Sequence, residues 1–525
     1  MAAVVFEPRI RAGGFNADDW ALYSAFRFPQ AAGFHNALGA LEHSAGSRVG
    51  HMLYWFASFS IFGSHTRLYS ATAGMLAVAL AFTVYLFLRE LKFSLVHSLA
   101  IMLLTIVAPS IDAVRFWFTP AGIQISIILV LIGMMLALRA FVAPEGKRIS
   151  LHALSWGFYL ASAIYTETAL PLIAVGLLVY LTRAPFLAAL RRWGCDLVIV
   201  VIGYSATLSF VDSQPGFSKL PASMWWEHAR LIGDQSLTIF TQLLFPIPAG
   251  DRSIILIGTA VILTAGLTLW SRDDLPDSSR RTLRRWIVAL GISLTAIVAG
   301  YVVFVPAMLY YEPLGPGLAT HINAVTAVPL AVAIFAVLMI AQIVVAELIG
   351  SRRRHVGTMA LAVVTVWYAA IVIDAGNDVR SNAHIWALAS ERDDHVLHVL
   401  RQDLSNPVSN ATIYTFGEAG TVAPGLPIFF TSWELNNAIK IEYNRPDLSA
   451  FPVVTNGIHP VCAPKGIIAS VESTPVSAAS LYGRSYFMDI ANGKYAIIKN
   501  MAACTAALSR LPVGAYSYAS REWED

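Results

Sequence analysis

Two adjacent carboxylates, Asp18 and Asp19, follow a Gly13-Gly14 turn signal and precede Trp20. Carboxylates side by side repel, so one pKa rises if both approach the same low-dielectric site. A raised carboxylate can act as general base toward a hydroxyl group, while its neighbour orients the acceptor or holds a divalent ion. The same pair before an aromatic residue also fits a helix cap, with either aspartate at the N-cap. Which reading applies depends on where the chain places the pair.

The chain has 525 residues, 56% of them hydrophobic and 13% charged. Mean hydropathy is +0.61. Soluble domains carry about 25% charged residues, so a chain this long and this poor in charge cannot cover its surface in water. Its composition excludes soluble, disordered and small disulfide-stapled classes. A net charge of +3 is too small an excess to suggest nucleic-acid binding.

A membrane span needs about 20 mostly apolar residues. Ten stretches qualify: 67–88, 95–112, 120–140, 151–165, 168–183, 196–212, 253–271, 286–306, 321–348 and 356–374. Basic residues cluster in alternate connections, at Arg89 and Lys92, at Arg139 to Arg148, at Arg183 to Arg192, at Arg272 to Arg285, and at Arg352 to Arg354. The intervening connections hold only Arg115, Lys219, Arg230 and Arg252. This alternation places the basic connections in the cytoplasm and both chain ends outside. Residues 1–66 are polar to mixed, and a segment of this size normally needs a preceding span to carry it across. A first helix encoded upstream is therefore expected, the alternative being that the segment crosses unaided.

Three regions follow. Residues 1–66 form an exterior loop with the acidic pair and interfacial helices, the apolar patch from Leu53 to Phe62 being too short to span and reading as a helix lying in the membrane interface. Residues 67–374 form the helical bundle. Residues 375–525 form a small exterior α/β domain, with an amphipathic helix over 378–404 and strand-like runs at 411–414 and 495–498. The expected fold class is thus an all-α polytopic membrane protein of about ten spans with a small C-terminal α/β domain. Cys462 and Cys504 both fall in the exterior tail, where a disulfide is permitted and two free thiols are the alternative. Cys195 reads as a packed thiol at a span end.

The order Asp18-Asp19-Trp20, then Arg48-Val49-Gly50-His51, then Leu53 to Gly63, then a span from Arg67, resembles bacterial members of the GT-C glycosyltransferase superfamily. These include O-antigen glucosyltransferases, lipid A aminoarabinose transferases and protein O-mannosyltransferases. Two further stretches fit: Arg115-Phe116-Trp117-Phe118-Thr119-Pro120, and Tyr165-Thr166-Glu167-Thr168-Ala169-Leu170-Pro171.

The resemblance implies transfer of a hexose or pentose from a polyprenyl-phosphate donor to a cell-envelope glycan, lipid or protein, on the outer face of the plasma membrane. Asp18 or Asp19 would be the general base, with Asp19 favoured. Arg48, His51, Arg115 and Arg230 would meet the phosphate that leaves with negative charge. For Arg48 the alternative is a snorkelling contact to ordinary lipid phosphate. Glu167 would accept a sugar hydroxyl, support Arg115, or pair with an arginine of another loop to fix the bundle. Tyr311 would stack on the sugar ring and Glu312 accept its hydroxyls, unless the loop is an interfacial belt and turn. His321 reads as a packed interface histidine.

A P-loop, a dinucleotide glycine pattern and a Gly-x-Ser-x-Gly nucleophile are all absent from the sequence, so no nucleotide cofactor is expected. His35, His43, His51 and His65 lie near the acidic pair without zinc-ligand spacing, which leaves a divalent cation open. Two other functions compete. A transporter or flippase predicts charged or broken spans at mid-depth and a repeat between halves, and neither is found. A non-catalytic envelope-assembly partner predicts tolerance of changes at Asp18 and Asp19.

Overall fold

The computed structural model describes residues 1–46, 48–108, 110–209, 220–245, 277–307, 313–314, 317–350, 356–418, 420–423, 425–429, 432–453, 458–471, 474–475 and 479–509. The amino-terminal region holds four helices: α1 (Ala2–Ala12), α2 (Asp18–Arg27), α3 (Ala37–Ala45) and α4 (Val49–Phe62), the last covering the expected interfacial helix. Gly13 and Gly14 end α1 with φ of 70° and 88°, the left-handed region open to glycine. Gly14 is also required by space, because a Cβ there would lie 2.4 Å from Ser390 Cβ. The Asn36 side chain caps α3 by accepting from Gly39 N at 2.9 Å.

Among the described residues five helices are long and apolar enough to cross a membrane. They are α5 (Thr66–Glu90), the joined α8 (Phe118–Ala121) and α9 (Ile123–Val142), α14 (Asp277–Val302), α15 (Ala324–Gly350) and α16 (Val356–Asp403). These correspond to the expected spans at 67–88, 120–140, 286–306, 321–348 and 356–374. The stretches expected at 95–112, 151–165, 168–183 and 196–212 contain α6 (Leu95–Val107), α10 (Glu145–Tyr165), α11 (Leu170–Tyr180) and α12 (Phe186–Ser209). Those helices are too short or too polar to qualify by length and composition. The span expected at 253–271 lies outside the described residues. Two shorter elements complete the bundle's connections, α7 (Asp112–Phe116) and α13 (Trp225–Leu244).

Small residues let the helices close. A Cβ on Gly133 of α9 would sit 2.5 Å from the Tyr159 ring of α10. Beside it the Ser126 and Ser162 hydroxyls lie 2.7 Å apart. Buried polarity continues as a chain: Tyr159 and Tyr180 hydroxyls at 2.7 Å, Tyr180 donating to Asp196 at 2.7 Å, and Arg192 pairing with Asp196 at 2.9 Å. Charge this deep persists because it is partnered.

The span at 356–374 and the amphipathic helix at 378–404 are one helix, α16, of 48 residues. No proline interrupts it, and Gly376 faces Met1 of the amino-terminal region. At 1.5 Å per residue it extends about 72 Å, carrying its far half beyond the bundle to meet α1.

The carboxyl-terminal region holds a four-stranded sheet of order β4-β1-β8-β9: β4 (Ser449–Pro452), β1 (Thr412–Phe416), β8 (Ser485–Asp489) and β9 (Lys494–Ile498). β1 is parallel to both β4 and β8, and its buried Ile413 and Tyr414 fit a strand covered on both faces. β9 is antiparallel to β8. β1 and β9 are the two runs expected from sequence. Between β1 and β4 lie β2 (Thr421–Ala423), β3 (Leu426–Pro427) and α17 (Ser432–Tyr443), which packs on β4 and on α2. A second sheet runs β5 (Ile458–Ala463), β6 (Gly466–Val471), β7 (Thr474–Pro475), all antiparallel. The Cys462–Cys504 disulfide ties β5 to α18 (Met501–Leu508).

One hydrophobic cluster joins the two ends of the chain. Phe15, Trp20, Tyr23, Trp55 and Phe59 pack with Leu400, Leu435, Ile439 and Tyr486. The acidic pair of α2 is thereby held against α17 and α8.

Candidate functional site

Asp18 and Asp19 are the first two residues of α2, and Ala17, at φ 46°, is its N-cap. Neither aspartate is the cap. Both sit where the helix dipole favours negative charge. Their environments then diverge. Asp19 is 1% exposed. Its Oδ1 accepts from Thr119 N at 2.9 Å and from Thr119 Oγ1 at 2.5 Å, and its Oδ2 accepts from Asn16 N at 3.2 Å. Burial pushes its carboxyl up to about 7, against the pull of those hydrogen bonds and of the Arg9 charge. Asp18 is partly exposed. Burial raises its pKa as well, and the Trp433 indole donates a hydrogen bond to it. Trp433 belongs to α17 and is 50% exposed.

A second set lies where α4, α9 and α10 meet. Arg48 grips Glu167 with two nitrogens, Nη2 to Oε1 at 2.5 Å and Nε to Oε2 at 3.1 Å. Glu167 opens a short 3-10 turn between α10 and α11. Burial alone would raise its carboxyl, but the Arg48 charge and hydrogen bonds outweigh that and leave it below its usual value. Close backbone packing locks the set: a Cβ on Gly50 would lie 2.6 Å from Tyr165 Cα, and one on Gly122 would lie 2.7 Å from His51 Nε2. His51 is buried between Trp55 and Tyr165, with ring centroids at 5.5 and 5.1 Å. Burial, aided by the Arg48 charge, pushes its pKa down to about 3. His51 is therefore neutral at neutral pH and could meet a phosphate only as an N–H donor, not as a cation. His321 lies within electrostatic reach of Arg48, its Nδ1 2.7 Å from Leu318 O.

The other expected cations sit elsewhere. Arg115 is fully buried and donates to the last carbonyls of α6, Ala108 O at 2.6 Å and Thr105 O at 2.8 Å. It fastens a helix end, lies 5.9 Å over the Phe6 ring and pairs electrostatically with Asp112, not with the acidic pair. Arg230 is 77% exposed on α13, 3.8 Å from Asp234. Tyr311 and Glu312 lie outside the described residues. Among the described residues no group of three His, Cys, Asp or Glu side chains could hold a metal ion.

Sequence reasoning missed three residues. Arg9 of α1 is fully buried beneath the acidic pair. It donates to Phe116 O at 2.9 Å, to Gly14 O at 3.0 Å, and to Gly13 O and Ser390 Oγ. With Glu7 and Arg11 on either side, nothing in the sequence set Arg9 apart. Thr119 sat inside a quoted motif without a role. Trp433 had no sequence signal, since only the fold brings α17 to α2.

No family model matches the chain, and no curated protein matches it. Among solved structures it is similar to ArnT from Cupriavidus metallidurans bound to undecaprenyl phosphate, at 12% identity and a TM-score of 0.43, over 86% of this chain and 84% of that one. The same protein in the apo state matches at 14% identity and a TM-score of 0.36, over the same shares. Superposition at these scores is too loose to place a residue of one chain on the other.

Proposed function

We propose that the protein is a multi-pass glycosyltransferase that moves a sugar from a polyprenyl-phosphate donor to an envelope glycan, lipid or protein on the outer face of the plasma membrane. Asp18 is the general base in this reading, and Asp19 is the residue that positions it. One observation carries the assignment: burial raises both neighbouring carboxylates, but they differ in access. Asp19 is locked by three donors, while Asp18 is partly open beside the exposed indole of Trp433.

The acceptor hydroxyl gives its proton to the Asp18 carboxylate as its oxygen bonds to the anomeric carbon. The bond from that carbon to the phosphate oxygen breaks, polyprenyl phosphate departs with the negative charge, and the single displacement inverts the centre. Trp433 offers an aromatic face to the sugar. Arg48, oriented by Glu167, would meet the phosphate in this reading. Residues 67–374 then form the membrane body and 375–525 the exterior domain.

The test is Asp18→Asn in membranes supplied with a polyprenyl-phosphate-linked sugar. Transfer is expected to fall about 10²–10⁴-fold. Undiminished transfer removes Asp18 as the base.

A further inference from the structure

One side of α4 touches both halves of the proposed site. Arg48 is the N-cap of α4, and His51 and Trp55 follow it three and seven residues on. That spacing puts the three on one face of a helix, about 10 Å from end to end at 1.5 Å per residue. At one end Arg48 grips Glu167. In the middle His51 packs against the Trp55 ring, the two planes 29° apart. At the other end Trp55, itself buried, donates its indole Nε1–H to Thr119 O at 3.2 Å. Thr119 is the residue that donates twice to Asp19.

The rest of α4 grips the same segment. Tyr54 stacks on Phe118 with ring centroids 4.8 Å apart, and its hydroxyl reaches Phe118 O at 3.5 Å. The Phe118 ring also packs against Phe59 of α4 and Tyr69 of α5. Phe118 O and Thr119 N belong to one planar peptide group. That group therefore faces α4 with its carbonyl and Asp19 with its N–H. Asp19 tolerates little movement of Thr119, because both donors act on a single oxygen and hydrogen bonds weaken steeply with misalignment.

We propose that Trp55 is a positioning residue for the transfer reaction: through Thr119 and Asp19 it holds the Asp18 carboxylate at a fixed offset from the Arg48 end of the same helix face. The proposal rests on the reading of Asp18 as base and Arg48 as the phosphate contact. It adds that the base side and the phosphate side hang on one element, α4. The alignment of acceptor hydroxyl and anomeric carbon is then built into the fold, and a misplacement near 1 Å costs on the order of 10²-fold in rate.

The experiment is Trp55→Phe in the full chain, which keeps an aromatic ring beside His51 and deletes the indole N–H. Two measurements are paired. One is transfer kinetics with a polyprenyl-phosphate-linked sugar, expressed per folded protein so that lost stability alone leaves kcat in place. The other is infrared titration of the Asp19 carboxyl in protein with isotope-labelled aspartate, its band identified by its loss in Asp19→Asn. We expect kcat to fall about tenfold with KM for the donor unchanged. The Asp19 midpoint should move upward, because a loosened Thr119 stabilises the carboxylate less. Trp193→Phe deletes an indole bond of the same kind on α12, to Ala174 O at 2.9 Å, and should change neither. If Trp55→Phe does not fold, benzothienylalanine in place of Trp55 keeps the shape of indole without the donor. An unchanged kcat overturns the proposal, whatever the midpoint does. A fall in kcat with the midpoint unmoved overturns it too, since the effect would not pass through Asp19. Absence of transfer by the wild type removes the functional reading instead, and the midpoint alone then decides whether Trp55 governs Asp19.

Discussion

Thr119 donates its backbone N–H and its hydroxyl to the same oxygen of Asp19, at 2.9 and 2.5 Å, across 100 residues of chain. The contact pins the first turn of α2 to the entry of α8. It fixes where Asp18, one residue earlier, must project. A carboxylate so enclosed acts as a brace in the proposed reading, which gives the proton transfer to Asp18.

Exchanging each aspartate for asparagine should therefore give opposite phenotypes. Asp19→Asn turns one acceptor into a donor facing groups that already donate, at a cost of about 1–3 kcal/mol. The purified variant is expected to melt below wild type. Asp18→Asn changes a partly exposed group and should stay within about 0.5 kcal/mol of wild-type stability, yet lose transfer. Thermal unfolding beside a transfer assay separates the two. A stable, inactive Asp19→Asn with a fully active Asp18→Asn would reverse the assignment.

The raised Asp19 carboxyl carries a pH signature. Its folded pKa, about 7, lies above the ordinary carboxylate value, so the folded state binds this proton more tightly than the unfolded chain does. The resulting stabilisation is full below about pH 4 and is lost as pH rises through about 7. The wild-type Tm should exceed that of Asp19→Asn by more at pH 5 than at pH 8. Thr119→Val removes the hydroxyl donor while keeping the shape. It should lift the carboxyl further and cost about 1 kcal/mol at neutral pH. A difference between wild type and Asp19→Asn that does not change with pH would show that Asp19 does not titrate in this window.

Arg48 and Glu167 make a different kind of contact. Their side chains are 40% and 33% exposed, so water screens the pair and its net stabilisation is below about 1 kcal/mol. Its value is orientation. Glu167→Gln should barely move Tm but let Arg48 swing, raising KM for the lipid-phosphate donor about tenfold with less change in kcat. A melting temperature that collapses in Glu167→Gln, with KM untouched, would make the pair a bundle clamp.

Much of this architecture is legible in sequence because charge is expensive in lipid. Long apolar runs therefore stand out, and five of the ten expected spans are helices long and apolar enough to cross a membrane. The acidic pair and the strands at β1 and β9 are local patterns, and local patterns survive without a fold. The Arg48–Glu167 pair spans 119 residues, and which arginine Glu167 would choose depends on α4 lying across Tyr165. The charge state of His51 was equally hidden. Its type suggests a cation, but burial between two aromatic rings makes it neutral. The continuity of α16 was missed because a polar stretch after an apolar one reads as the end of a span. Here the helix simply leaves the bundle and goes on.

Arg9 gives the most severe prediction. It is fully buried, and burial lowers its pKa only to about 10, so it stays charged at neutral pH. Its guanidinium joins α1, the Gly13-Gly14 turn, Phe116 and Ser390 of α16. Arg9→Met leaves those carbonyls unpaired, at an expected cost of about 3–5 kcal/mol. Arg9→Lys keeps the charge but lacks the planar fork, and one ammonium cannot reach all four partners. Both variants should elute as aggregated rather than monodisperse protein, and exchange of α1 amides with solvent should rise. Ser390→Ala removes a single partner, costing about 1 kcal/mol, and should remain folded. Because the Arg9 charge also lowers the Asp19 carboxyl, any folded fraction of Arg9→Met should show a stability profile displaced to higher pH. Wild-type elution, Tm and transfer in Arg9→Met would mean that the acidic pair is positioned without α1.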